Sequence, residues 1–156
     1  MKIIINESQL KLIVENEGED NLIDFTHVYK GGFPAEEWDE MFEHINNKKK
    51  GGKYDGYYID GDVDLEESNV TQLKYLVKVE GFLDLNNTPI ESLPMLSYVE
   101  YYLRLNNSPI ESLPEGLSVG GFLSISNTPL SKTTTREELK SKINVEGQIY
   151  LGLIYI

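Results

Sequence analysis

The chain has 156 residues, 40% of them hydrophobic and 26% charged, with no cysteine and a formal net charge of -12. That length supports one domain with its own core, and the lack of cysteine excludes disulfides, thiolate nucleophiles and cysteine-based zinc sites together. The acidic excess disfavours direct binding to nucleic acid, whose phosphates need Lys and Arg; it fits a basic protein partner, mimicry of a polyanion, or plain solubility.

In chain order, residues 1–20 read as a helix followed by an acidic linker. Ser8–Glu15 places Leu10, Ile13 and Val14 on one face, and Glu15-Asn-Glu-Gly-Glu-Asp20 follows as a solvated stretch. Met1–Asn16 has neither an apolar core nor a small-residue cleavage site, so a secretory signal is not expected, nor is a membrane span. The predicted location is cytoplasmic, not secreted.

Residues 21–56 are predicted as a helical N-terminal cap. From Pro34 to Ile45, proline and acids come early, and Trp38, Met41, Phe42 and Ile45 fall on one stripe, as in an amphipathic helix. Lys48, Lys49 and Lys50 suit its C-terminus, and Gly51-Gly52 ends it.

From residue 57 to 130 the chain repeats itself. Four segments match in steps of twenty: Ile59-x-Gly61-x-Val63-x-Leu65, Val79-x-Gly81-x-Leu83-x-Leu85, Val99-x-Tyr101-x-Leu103-x-Leu105 and Val119-x-Gly121-x-Leu123-x-Ile125. A fifth, Val145-x-Gly147-x-Ile149-x-Leu151, follows after six extra residues. The alternation is that of a strand with one buried face. The connecting segments repeat too: Asn87-Thr-Pro-Ile-Glu-Ser-Leu-Pro94 returns as Asn107-Ser-Pro-Ile-Glu-Ser-Leu-Pro114. A unit this short cannot bury its own apolar face and must stack on its neighbours. Pro89, Pro109 and Pro129 end strand pairing at the same place in each coil. Ser68, Thr88, Ser108 and Thr128 fall in register and are expected to form a hydroxyl ladder satisfying backbone groups of adjacent coils.

The run Leu113-Pro-Glu-Gly-Leu-Ser-Val-Gly-Gly-Phe-Leu-Ser-Ile125 resembles the short leucine-rich repeats, of roughly twenty residues, of bacterial and bacteriophage proteins. The resemblance covers about Tyr57 to Leu151 and implies an α/β solenoid, a leucine-rich-repeat-like stack of five short parallel strands with helical caps at both ends. In this chain Thr or Ser stands where an Asn ladder is common in such repeats. Residues 131–156 complete the prediction as a C-terminal cap. Thr134 with Glu137 gives a capping-box signal for a short helix to about Ile143, the last strand follows, and Leu153–Ile156 folds back over the end or docks elsewhere.

The outward strand positions form columns. Asp60, Glu80, Glu100, Gly120 and Glu146 make a mainly acidic row; Asp62, Phe82, Tyr102, Phe122 and Gln148 a mainly aromatic one; Asp64, Asp84, Arg104, Ser124 and Tyr150 a third. Acids beside aromatics suit a basic protein segment, whose Arg or Lys would stack on the rings and pair with the carboxylates. The candidate partner-binding residues are therefore Asp60, Asp62, Asp64, Glu80, Phe82, Asp84, Glu100, Tyr102, Arg104 and Phe122. Packing of aromatic neighbours across strands accounts for the same row without any ligand. Asp60-Gly-Asp62-Val-Asp64 lacks the glycine and terminal glutamate of a calcium loop. No catalytic motif surrounds His27 or His44. The expected function is a protein-interaction module, without cofactor, metal or catalysis. A nucleic-acid mimic that inhibits a host protein, or a phage structural or assembly component, is the alternative.

Overall fold

A computed structural model describes residues 21–152. The predicted helix at Ser8–Glu15, the acidic linker and the tail Leu153–Ile156 lie outside the described residues. Strand β1 (Leu22–Asp24), helix α1 (Thr26–Lys30), a 3-10 turn (Ala35–Glu37) and helix α2 (Trp38–Lys48) come first. Paired strands follow: β2 (Gly56–Ile59) and β3 (Val63–Asp64), β4 (Leu76–Val79) and β5 (Leu83–Asp84), β6 (Tyr98–Val99) and β7 (Leu103–Arg104), β8 (Ser118–Val119) and β9 (Leu123–Ser124). Helices α3 (Pro129–Thr133) and α4 (Arg136–Lys142) precede β10 (Asn144–Val145) and β11 (Ile149–Tyr150).

The result is an α/β arrangement of short parallel strands stacked in regular steps, as in a repeat solenoid. Register runs from Val79 to Val99 to Val119, and from Leu83 to Leu103 to Leu123. One expectation needs correction. Each predicted strand is two strands with a corner between them, so there are two sheets: one of six strands in the order β1-β2-β4-β6-β8-β10, the other of five, β11-β9-β7-β5-β3. The corner falls at Gly61, Gly81, Gly121 and Gly147, where adjacent coils touch backbone to backbone. A Cβ on Gly81 would sit 2.4 Å from the carbonyl carbon of Gly61. These glycines read as the apolar phase of a strand, but they mark close approach rather than side chains in the core. Tyr101 occupies the same corner and is 55% exposed, not inward as the alternation implies.

The core is a set of columns through the stack. Ile59, Val79, Val99 and Val119 form one, Val63, Leu83, Leu103 and Leu123 the next, and Val70, Ile90, Ile110 and Leu130 close the turn side, all buried. Burying each such side chain stabilises by roughly 1.5–3 kcal/mol. Leu113 is only partly buried although its repeat mate Leu93 is buried, because the chain after the fourth coil leaves the repeat for α3 and α4.

The hydroxyl ladder does not run between coils. Thr88, Ser108 and Thr128 each donate to a carbonyl three residues earlier in their own coil, at Leu85, Leu105 and Ile125, all at 2.7 Å. A short hydroxyl reaches its own turn before it reaches a neighbour. Asparagines supply the links instead. Asn86 Oδ1 accepts from Asn106 N–H at 2.8 Å, and Asn106 Oδ1 accepts from Ser126 N–H and the Ser124 hydroxyl. On the surface Asn127 donates to Asn107 and Asn107 to Asn87. Those three surface residues hold φ of +55°, +58° and +56°, a left-handed conformation that Asn tolerates better than most residues.

At the N-terminal end β1 extends the first sheet beside β2. Trp38, Met41, Phe42 and Ile45 of α2 are buried, and Phe25 stacks on Tyr57 with ring centroids 4.3 Å apart. The acids of this region do more than complement a helix dipole. Glu36 accepts from Asn69 N–H, Asp39 from Lys74 N–H and the Tyr57 hydroxyl, and Glu43 from the Tyr75 hydroxyl. In the next coil the places of Asn69 and Lys74 are taken by Pro89 and Pro94, which carry no N–H. The carboxylates thus satisfy backbone donors that the first coil presents and the next replaces by proline. Burial raises the Asp39 carboxyl above its usual range, against the lowering effect of those bonds, and pushes the Tyr57 phenol well up.

At the other end, α4 is capped one residue later than predicted. Thr135 Oγ1 accepts from Glu138 N–H at 3.1 Å, because Thr134, in extended conformation, ends a helix the sequence reading did not contain. That helix, α3, opens on a capping box between Thr128 and Ser131. Among the described residues no helix is long and apolar enough to cross a membrane.

Candidate functional site

The corner in each coil divides the predicted binding face into two surfaces. On the five-stranded sheet, Phe82, Tyr102 and Phe122 stack in sequence, with centroids 4.6 Å and 4.8 Å apart and rings nearly parallel, and Tyr150 meets Phe122 edge-on at 5.8 Å. All three stacked rings are half-buried. Arg104 lies over two of them, its guanidinium 4.7 Å from the Tyr102 ring and 5.4 Å from that of Phe122. The same guanidinium stands 3.5 Å from an Asp84 carboxylate oxygen. Asp84 and Ser124, predicted to point outward, are buried at 4% and 8% exposure: a long side chain laid across a sheet covers its shorter neighbours. The cation that an aromatic row would recruit from a partner is already supplied by the chain itself.

Asp60, Asp62 and Asp64 are exposed but do different work. Asp62 accepts from Phe82 N–H at 3.0 Å, and Asp64 from Glu66 N–H at 3.1 Å. The carboxylates of Asp64, Glu66 and Asp84 come within 4.8 Å of one another, and Arg104 is the counter-charge there. Asp60 and Asp62 are not in that group, since a strand with a corner carries successive acids apart.

Asp60 belongs to the second surface, on the six-stranded sheet. With Lys78, Glu80, Tyr98 and Glu100 it lines a groove of about 490 Å³. Tyr98 and Glu100 also border the next groove, of about 650 Å³, completed by Tyr101, Ser118, Val119, Gly120, Asn144, Val145 and Glu146. The acidic row therefore forms the margin of a channel across several coils. Within it Lys78 Nζ lies 2.6 Å from Glu80 and 5.8 Å from the Tyr98 ring. The field is strongly acidic beside the first groove, where burial first, then Asp24, Glu80 and Asp60, push the Tyr58 phenol up to about 12.

Sequence reasoning missed Lys78, Tyr98 and Tyr101, and it placed Gly120 in the first outward column without assigning it to the site. Tyr101 carried a readable signal, as the one corner position of five that is not glycine. Gly120 carried another, as the gap in an acidic row; a Cβ there would lie 2.0 Å from the Glu100 carbonyl oxygen. Lys78, Tyr98, Ser118 and Asn144 share one register but sit one place outside the repeated core, where nothing in the pattern singles them out.

Comparison with protein-family models, with characterised proteins and with solved structures finds no match to this chain.

Proposed function

We propose that the protein is a binding module of leucine-rich-repeat type, whose acid-lined groove on the six-stranded sheet docks a basic segment of a protein partner. The observation that carries the reading is the alignment of Asp60, Glu80, Glu100 and Glu146 along two adjoining grooves with aromatic walls. A concave surface with an excess of one sign, here three carboxylates to Lys78 in the first groove, draws an oppositely charged chain. The aromatic row on the other sheet is less suited, because Arg104 covers Tyr102 and Phe122. Leucine columns, steps of twenty residues and asparagine links between coils support the repeat type. Acids also stand on the turns, at Glu91 and Glu111, and on α2 at Glu40, a spread that favours a local groove over mimicry of a nucleic-acid backbone.

Titration calorimetry with a hexalysine peptide tests this. Neutralising Glu80, Glu100 and Glu146 together to Gln is expected to weaken binding about tenfold, and neutralising Glu91, Glu111 and Glu137 only about twofold, since distant exposed charges are screened. Equal loss in the two variants refutes the groove.

A further inference from the structure

We infer that the second groove, floored by Gly120, is a receptor for one lysine side chain of the partner; the inference rests on the docking role just proposed and deepens it. In the first groove a lysine is already in place: Lys78 sets its ammonium 2.6 Å from the Glu80 carboxylate and 5.8 Å from the centre of the Tyr98 ring. Across the sheet the register carries Lys78 to Tyr98 and Tyr98 to Ser118. The second groove thus keeps the Tyr98 wall and has Glu100 and Glu146 as carboxylates, while a short serine occupies the place equivalent to Lys78. Glu100 and Glu146 form no ion pair among the described residues.

Two departures from the repeat open the space. Gly120 interrupts the acidic row, so no side chain fills the floor between Glu100 and Glu146. Tyr101 replaces the corner glycine, and the residue stands 55% exposed at the rim. A lysine entering there has an aliphatic stem to lay on Tyr98 and Tyr101 and an ammonium to place between two carboxylates. The volume, about 650 Å³, accommodates that side chain with its flanking backbone.

The experiment is amide NMR of the full chain, titrated with a blocked peptide bearing a single lysine among Gly and Ser, against the same peptide with norleucine. The lysine peptide is expected to shift the signals of Tyr101, Gly120 and Glu146 in the millimolar range, and the norleucine peptide to leave them in place. Ser118→Lys places a resident ammonium in the second groove beside Glu100 and Glu146 and is expected to reduce the response about tenfold, while Ser112→Lys, of equal charge on an exposed turn, changes it about twofold or less. Tyr101→Ser is a second variant that leaves the fold intact, the ring being exposed, and is expected to reduce the response about threefold. Equal responses to lysine and norleucine, or equal effects of Ser118→Lys and Ser112→Lys, overturn the inference. So do groove signals that move with protein concentration, which identify a second copy as occupant. Hexalysine binding that depends on Glu80, Glu100 and Glu146 but ignores Ser118→Lys leaves the basic-partner reading standing and removes only the lysine receptor.

Discussion

Replacing Gly81 by Ala tests the corner, on which both surfaces depend. The added Cβ would lie 2.4 Å from the Gly61 carbonyl carbon, 2.5 Å from its oxygen and 2.6 Å from Asp62 N, all backbone atoms with no rotamer to yield. Ordinary contact begins at 3.4 Å, so the first and second coils must separate by about 1 Å there. Two bonds close the coils beside the corner, Glu80 N–H to Ile59 O and Val63 N–H to Phe82 O, each 2.8 Å. Lengthened by that much they pass out of hydrogen-bond range. Their net contribution of about 1 kcal/mol each, added to overpacking strain of similar size, sets the expected loss at about 3 kcal/mol. Tyr101 shows the accommodation in kind: its N–H reaches Gly81 O at 3.2 Å, against 2.8 Å for Gly121 N–H on Tyr101 O. Gly147→Ala meets backbone only at 2.8 to 3.0 Å and is expected to cost about 1 kcal/mol. Urea unfolding followed by far-UV circular dichroism and by the fluorescence of Trp38, the single tryptophan, measures both. Because Trp38 lies beyond the first coil, Gly81→Ala is also expected to separate the two transitions by uncoupling that end of the stack. A Gly81→Ala protein within about 0.5 kcal/mol of the parent, or less damaged than Gly147→Ala, refutes the close-approach reasoning.

Arg104→Met strips the counter-charge from buried Asp84 and is expected to cost about 2 kcal/mol in urea unfolding, below a fully buried pair because the Arg104 side chain is 40% exposed; adding Asp84→Asn should recover most of it. Spectrophotometric titration of tyrosine is expected to show, besides the raised Tyr57, a phenol ionising at about 12 that is absent in Tyr58→Phe and titrates lower in Glu80→Gln. Asp39 has a folded pKa above its ordinary 3.8, so its contribution through protonation is full below 3.8 and is lost as pH rises through the folded value. Unfolding free energies across that range should therefore fall for the parent relative to Asp39→Asn as pH rises, and a parallel pair of curves would contradict the burial of that carboxyl. Thr128→Val is expected to cost about 2 kcal/mol and Thr88→Val about 1 kcal/mol, since both hydroxyls donate within their turns but only Thr128 also accepts from Ser131 N–H; thermal or urea unfolding ranks them.

The repeat was legible in the chain because burial acts on residue type at a fixed spacing. Val79, Leu83, Leu85, Ile90 and Leu93 each recur after twenty residues, and each faces the interior. The stripe of α2 was legible for the same reason. What the chain alone left undecided was direction and distance. Alternation cannot distinguish a straight strand from one with a corner, and Gly81 looks like any small residue until Gly61 is brought against it. Arg104 read as one member of a column; only the stacked coils place it over Tyr102, Phe122 and Asp84. The same holds for the grooves, whose walls come from separate coils, so no local pattern joins Lys78, Tyr98, Tyr101 and Gly120. Sequence by itself determined the apolar columns, since hydrophobicity is a property of each residue, but it misplaced Tyr101, Asp84 and Ser124. Tertiary structure decided which exposed residues meet, since that depends on where stacking carries them.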